Sequence, residues 1–173
     1  MQNIKDVGIK AAFLQFACSW RHNYTYFWHV ENDVYVRDWA NFFAKYEMVH
    51  SEMIANTFNA DHNWPHYRTC VYQKHPCARE KNLTGIKWPL VRIRGGAACR
   101  LATGLKSAAG HIEATTGKVS TAMNLTLTGF ENDYRLGHWG VFEQYPFFKN
   151  AESAMSWKSH GTVNHPIKCY VSE

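Results

Sequence analysis

His111 and Glu113 are the two residues whose types and spacing best fit acid–base chemistry. The chain has ten histidines in 173 residues, and histidine exchanges protons near neutral pH more readily than any other side chain. We expect a strand here, and residues two apart in a strand point to one face, so the carboxylate would orient the imidazole. Facing a pocket, such a pair performs general acid–base catalysis. On the outer face of a hairpin it is simply solvated, and this alternative stays open.

A second group of chemically capable side chains lies in segment 61–77. Transition metals prefer its imidazole and thiolate groups, but Pro65 interrupts the helix that would align His62 with His66. The spacing matches no zinc pattern, so we expect a polar loop, no bound metal and no cofactor. The residues concerned are Asp61, His62, His66, Cys70, His75 and Cys77.

Arginine and glycine cluster in segment 92–100. Glycine lets a phosphate approach backbone amides, and arginine binds oxyanions. The motifs of phosphate-binding loops do not accompany this cluster, so a β-turn flanked by surface arginines is the favoured interpretation. Cys99 lacks identified histidine and acid partners for a role as nucleophile. The other residues concerned are Arg92, Arg94, Gly95, Gly96 and Arg100.

The composition indicates a folded, mildly basic chain. Hydrophobic residues make up 46% and charged residues 19%, with a net charge of +5, a balance opposite to that of disordered proteins. The length fits a single domain spanning residues 1–173. The basic residues are dispersed, so the charge permits nucleic acid as a partner without favouring it.

The cysteines and the N-terminus suggest a cellular location. Five cysteines at irregular spacing argue against a disulfide framework, so we expect reduced cysteines in a cytoplasmic protein, with a bond between Cys70 and Cys77 left open. We expect neither a signal peptide nor a membrane span. Three Asn-x-Thr triplets, at Asn23, Asn82 and Asn124, carry little weight without a signal peptide.

Hydrophobic spacing predicts helices in the first third of the chain. Residues 4–20 repeat apolar side chains every three to four positions, which predicts a helix whose broad buried face includes Ile9, Phe16 and Trp20. A second helix is predicted to start at Asn32 or Asp33. A short helix followed by a loop is predicted within 51–65.

The rest of the chain is predicted to be mainly strands and turns. Strands are predicted at 67–72, 88–94, 97–106, 108–116, 119–128 and 136–145, and a short helix at 151–157. Helices followed by hairpins indicate an α+β fold in which N-terminal helices pack on a strongly curved antiparallel sheet, as in a cone-like barrel.

Two segments carry a resemblance to a known superfamily. Val34-Tyr35-Val36-Arg37-Asp38-Trp39, followed by Phe43-Ala44, is similar to a short helix with an acidic residue before tryptophan. Thr121 to Leu125, the turn Asn132-Asp133 and Leu136 to Val141 are similar to a final hairpin. Both features resemble the α+β cone superfamily of scytalone dehydratase, SnoaL-like cyclases and ketosteroid isomerases.

The resemblance implies an apolar pocket inside the cone, where tyrosine and histidine side chains act with a bound water. Tyr35 and His111 match the pocket tyrosine and histidine, and His75 is the candidate for the other histidine. Asn124 matches a polar residue on the following strand, and His50 lies near the place of a second tyrosine. The predicted catalytic residues are Tyr35, His75, His111 and Glu113. The predicted substrate-binding residues are His50, Asn124 and Trp139.

Segment 24–29 holds five ring side chains in six positions, more than one helix face can bury, which indicates an interface or a ligand cavity. The first functional hypothesis is a cofactor-free lyase, isomerase or cyclase. It would act on an apolar or phenolic small molecule in an aromatic-lined pocket, as a homo-oligomer without membrane association. The alternatives are a non-catalytic subunit of a larger assembly, such as a respiratory complex, a virion or a ribosome-like particle, and a protein that binds RNA or single-stranded DNA.

Overall fold

The computed structural model describes residues 4–32, 34–36, 38–60, 83–106 and 111–130, and the backbone of three short strands nearer the C-terminus. For residues 4–7 and Tyr35, too, only the backbone is described. The helices are α1 (Ile4–Ser19), α2 (Trp39–Glu47), α3 (Gly95–Lys106) and α4 (Ile112–Ala122). The strands are β1 (Tyr26–Val30), β2 (Tyr35–Val36), β3 (Met53–Asn59), β4 (Thr84–Arg94), β5 (Leu127–Thr128), β6 (Phe147–Phe148), β7 (Val163–Asn164) and β8 (Lys168–Cys169). The described part of the chain is therefore α+β, as predicted.

The chain divides into two compact units, one comprising 1–29 and 51–129 and the other 30–50 and 130–173. The first unit contains α1, α3 and α4 with a four-stranded sheet in the order β1-β4-β3-β5. In this sheet β3 is antiparallel to β4 and parallel to β5. The sheet is thus mixed rather than purely antiparallel, and over the described residues it does not close. The second unit contains α2 and two small sheets, β2 with β7 and β6 with β8.

Two strand predictions are wrong, because residues 97–106 and most of 108–116 form α3 and α4. In α3 the buried residues Ala97, Ala98 and Leu101 recur at the spacing of a helical turn, so the helical period was present in the sequence. α4 contains threonines and Gly117, which have poor helix propensity. Its burial against β4 outweighs that propensity.

Other boundaries also differ from the predictions. The segment after residue 51 forms β3 instead of a short helix, and the predicted strand 119–128 is helical at its start. α2 begins later than expected, at Trp39. Asp38 is its N-cap, since its carboxylate accepts a 3.0 Å hydrogen bond from the backbone N of Asn41. In the second unit, Phe42 and Tyr46 of α2 are buried, and their rings pack against Phe130.

Trp88 lies in the core of the first unit and joins β4 to α4. Its buried indole N–H donates a 3.1 Å hydrogen bond to the hydroxyl of Thr116. One residue later, a Cβ on Gly117 would lie 1.7 Å from the carbonyl oxygen of Thr84. α4 therefore packs directly on the β4 backbone. The same core includes Leu14, Phe27, Met53, Ile86, Val91, Ile93 and Leu101.

α1 confirms the predicted first helix, but its buried face is narrower than expected. Leu14 and Ala17 are fully buried, whereas Ile9, Phe16 and Trp20 are exposed. The prediction of a broad buried face is wrong for these three residues. These three residues lie on one side of α1, which therefore has an apolar face that the described residues leave largely exposed. Within the residues described, no helix is long and apolar enough to cross a membrane.

Candidate functional site

Phe16, Trp20 and Tyr24 form a row of exposed rings, called here the aromatic row. Their exposed fractions are 53%, 46% and 59%. Residues four apart lie one above the other on a helix, and Tyr24 continues the row in the turn after α1, where its backbone N bonds to the carbonyl of Trp20 at 3.1 Å. Neighbouring ring centroids are 6.2 and 6.4 Å apart. The three rings therefore form one continuous surface.

The aromatic row rests on a buried ring. Phe27 on β1 is only 8% exposed, and both Phe16 and Tyr24 contact it edge to face, at centroid distances of 5.9 and 6.1 Å. This is a favoured geometry for aromatic pairs. Because the outer rings are already packed, they lose less rotational freedom when a partner covers them.

Gly95 holds the end of α1 against the start of α3. A Cβ at Gly95 would lie 2.6 Å from the Cβ of Arg21 and 3.2 Å from the carbonyl oxygen of Ala17, so only glycine allows this approach. The backbone N of Gly95 also donates a 3.0 Å hydrogen bond to the carbonyl of Thr25. These contacts fix the turn that carries Tyr24.

A disulfide bond between Cys18 and Cys99 joins the same two helices. Their Cα atoms are 4.7 Å apart although 81 positions separate them in the sequence. The prediction of reduced cysteines is therefore wrong for these two, and the Cys70–Cys77 alternative lies outside the described residues. Such bonds persist mainly in oxidising compartments, so this bond argues against the cytoplasmic location, which stays a prediction.

The surface around the aromatic row carries positive charge. Segment 8–25 contains no Asp or Glu, and its Arg21, which follows Trp20, is exposed. Arg94, next to Gly95, is exposed. Arg100 on α3 pairs with Glu52. The acid in α1 is Asp6, ten residues before Phe16 and so about 15 Å away along the helix axis.

His111 and Glu113 come together, but at a helix start and not on a strand. His111 is the N-cap of α4 and Glu113 lies in its first turn. The His111 Nδ1 and Glu113 Oε2 atoms are 3.9 Å apart, and the two side chains are 18% and 15% exposed. This separation is longer than a hydrogen bond. A carboxylate at a helix N-terminus is favoured by the helix dipole, which gives Glu113 a structural role without any catalysis.

Lys87 adds a third titratable group to this pair. It is a half-buried residue of β4, the strand on which α4 packs. Burial lowers the pKa of Lys87 below its ordinary value, and the nearby Glu113 carboxylate partly opposes this. A single lysine within an apolar strand is a weak signal, so Lys87 is not predicted as a site residue from the sequence.

Of the remaining predicted site residues, the structure describes the side chains of Asn124 and His50. Asn124 is exposed just beyond α4, with φ of 51°. Its backbone N bonds to Thr121 O and that of Leu125 to Ser120 O, both at 3.0 Å, which is a helix C-terminal Schellman turn. The placement of Asn124 on a strand is therefore wrong. His50 is exposed in the second unit. The side chain of Tyr35, and all of His75 and Trp139, lie outside the described residues.

The arginine–glycine segment is not a surface β-turn, because Gly95 and Gly96 are the first residues of α3. Arg92 is only 2% exposed. Its guanidinium carbon lies 3.9 Å from the centroid of the Tyr26 ring, and Nη2 donates a 3.5 Å hydrogen bond to the carbonyl of Ser51. Burial lowers the pKa of Arg92. Arg92 is thus a core residue, and Arg94 is left as an exposed cation of this segment.

Two other features bear on ligand binding. Cys99, Arg100, Thr103 and Met123 line an open surface cleft of about 420 Å³, and Cys99 has no free thiol to act as a nucleophile there because it is disulfide-bonded. In the part of the chain that the structure describes, no group of three His, Cys, Asp or Glu side chains is placed to hold a metal ion. The predicted loop cluster at 61–77 lies outside that part.

Comparison with known proteins gives no family for this chain. No protein-family model matches the sequence, and no curated protein matches it.

Proposed function

We propose that this chain is a non-catalytic subunit of a larger assembly, in which a macromolecular partner covers the aromatic row. The observation that carries the proposal is the exposure of Phe16, Trp20 and Tyr24 as one packed surface. Exposed apolar surface of this kind commonly marks an interaction site. Trp, Tyr and Arg are also the residues that most often dominate binding energy, and Arg21 lies beside Trp20 in the chain.

Two properties of the row support a binding role over a purely structural one. Phe16 and Tyr24 pack on Phe27, and Trp20 packs on Phe16 and Tyr24, yet all three rings stay exposed, so the fold positions them without burying them. In addition, the bond between Cys18 and Cys99 and the Gly95 contact hold the end of α1 to α3. A binding surface on a braced element needs little reorganisation when a partner arrives.

Gel filtration with light scattering and ultraviolet absorbance tests the proposal on the purified full chain. We expect the wild type to elute heavier than one 20.0 kDa chain, with further copies or co-purified nucleic acid. We expect the Trp20→Ala/Tyr24→Ala variant to elute as a single chain. Phe43→Ala is the matched control, because Phe43 is an exposed ring on α2 in the second unit. If wild type and double variant both elute as bare monomers, and added nucleic acid does not shift the wild type, the proposal is wrong.

A second candidate function rests on His111 and Glu113. In this alternative the chain is a cofactor-free lyase, isomerase or cyclase acting on an apolar or phenolic molecule in a cone-like, aromatic-lined pocket. The close, half-buried imidazole and carboxylate support it, since such a pair transfers protons when it faces a substrate.

Ligand-dependent thermal stability separates this alternative from the first. Under the enzyme hypothesis, small phenols and enones raise the melting temperature of the wild type by binding its native state. The same compounds would raise the melting temperatures of His111→Gln and Glu113→Gln less than that of the wild type. They would raise the melting temperature of Trp20→Ala as much as that of the wild type. An absence of any shift in the wild type would remove the enzyme hypothesis.

A further inference from the structure

We infer that the partner of the aromatic row is a single strand of nucleic acid, whose bases stack on Phe16, Trp20 and Tyr24 while its phosphates meet the surrounding cations. This inference rests on the proposed binding function and names its partner. The choice of partner depends on the ring faces and on the charges at the end of α1, whereas the proposed binding function does not specify a partner.

The charge around the row fits a polyanion. The exposed Arg21 follows Trp20 in a segment, 8–25, that contains no carboxylate, and it lies against Gly95, next to the exposed Arg94. The Arg21 guanidinium uses Nη1 for a 2.8 Å hydrogen bond to the carbonyl of Cys18. That bond leaves other donors of the fork for a phosphate. Phosphates bound in this way supply most of the sequence-independent affinity for nucleic acid.

The rings fit unpaired bases. Every base has a π face, so a row of exposed aromatic side chains binds single strands with little sequence preference. Three rings in contact at 6.2 and 6.4 Å provide consecutive stacking positions, and the neighbouring cations supply the phosphate contacts. A duplex hides its base faces and would gain only the phosphate contacts.

The same charges disfavour the other macromolecular occupant, a second copy of this chain. A two-fold symmetric contact centred on the row would bring the exposed Arg21 and Arg94 of both copies into one interface. Like charges facing each other across an interface are unfavourable. A protein partner of this face would need acidic side chains around its apolar centre.

Fluorescence anisotropy with labelled oligo-dT, oligo-rU and a DNA duplex tests the inference on the full chain. We expect both single strands to bind more tightly than the duplex, and to similar extents because bases and phosphates are common to DNA and RNA. We expect Trp20→Ala and Tyr24→Ala to weaken binding by about 5- to 150-fold each, the range for loss of one stacked base. Phe43→Ala should leave binding unchanged.

Salt dependence gives an independent readout of the phosphate contacts. Two contacts, from Arg21 and Arg94, predict a slope of log affinity against log salt of about −1.4 for a single strand, and Arg21→Gln should make it less steep by about 0.7. Absence of binding at low salt, or binding that Trp20→Ala leaves unchanged, overturns the inference. If the row variants abolish self-association in gel filtration while oligonucleotides fail to bind, the inference fails and the proposed binding function stands. If neither effect occurs, both fail.

Discussion

Gly95 and Arg21 are in direct contact, at a distance that no other amino acid at position 95 would permit. A Cβ on Gly95 would lie 2.6 Å from the Cβ of Arg21 and 2.9 Å from its Cα. The contact places the first residue of α3 against the turn that follows α1. It therefore fixes where Arg21 and the end of the aromatic row stand on the first unit.

Gly95→Ala should destabilise the protein and displace the turn that carries Arg21 and Tyr24, because the added methyl group meets backbone that cannot move aside. We expect a loss of about 1–3 kcal/mol in the free energy of unfolding, as for other overpacked sites, measured by urea denaturation. Gly96→Ala is the matched control, since a Cβ there meets nothing within 4 Å. It should change stability by less than about 1 kcal/mol. Equal effects of the two substitutions would contradict the Gly95 contact.

Thr116→Val should destabilise the first unit through Trp88. The valine keeps the shape but removes the hydroxyl that accepts the buried indole N–H, and an unsatisfied buried donor costs about 1–3 kcal/mol. Thr103→Val is a suitable comparison, because Thr103 is exposed and its hydroxyl donates a hydrogen bond to the carbonyl of Cys99 within the same helix. It should change the unfolding free energy by about 0.5 kcal/mol or less.

Reduction of the Cys18–Cys99 bond should lower the free energy of unfolding by about 2–4 kcal/mol, because the bond closes a long loop in the unfolded chain. Denaturation with and without reductant measures the effect. The Cys18→Ser/Cys99→Ser variant should have the stability of the reduced wild type and should not respond to reductant. Alkylation of both cysteines in the unreduced protein would show that the bond is absent.

Part of the fold could be predicted from the sequence because its signals are local. The helical repeat from Ile4 places α1 correctly, and the surplus of rings at 24–29 correctly indicates that not all are buried, since Tyr24 is 59% exposed. The apolar character of α1 on two faces was also visible. We interpreted it as a broad buried face, although it equally predicts an exposed apolar one.

The rest depended on contacts between distant segments. Cys18 and Cys99 meet only because α1 packs on α3, which no spacing rule reveals. The small residues at 97–106 predict a strand, whereas the helical spacing of Ala97, Ala98 and Leu101 predicts the helix that the structure contains. Asn124 adopts a left-handed conformation that ends α4, a local role that asparagine tolerates better than most residues. His111 and Glu113 lie close together as predicted, but at the start of a helix and not on a strand.

Lys87 should give a measurable pH dependence of stability. Its pKa in the folded state is lowered, mainly by burial, from the ordinary 10.5, so the unfolded chain binds more protons between the two values and stability rises with pH there. Lys87→Met removes the buried charge. The variant should therefore be more stable than the wild type at neutral pH, and the difference should shrink as the pH approaches 10.5. A difference that is constant with pH would exclude this origin.

Oxidative footprinting of the aromatic row tests the central claim most directly. Hydroxyl-radical labelling of the full chain, read by mass spectrometry, is carried out alone and with excess single-stranded oligonucleotide. We predict strong oxidation of Phe16, Trp20 and Tyr24 in the free chain and clear protection when the oligonucleotide is added, with Phe43 and Met48 oxidised equally in both. Oxidation of the row that the oligonucleotide leaves unchanged, or protection confined to Phe43 and Met48, would contradict the claim.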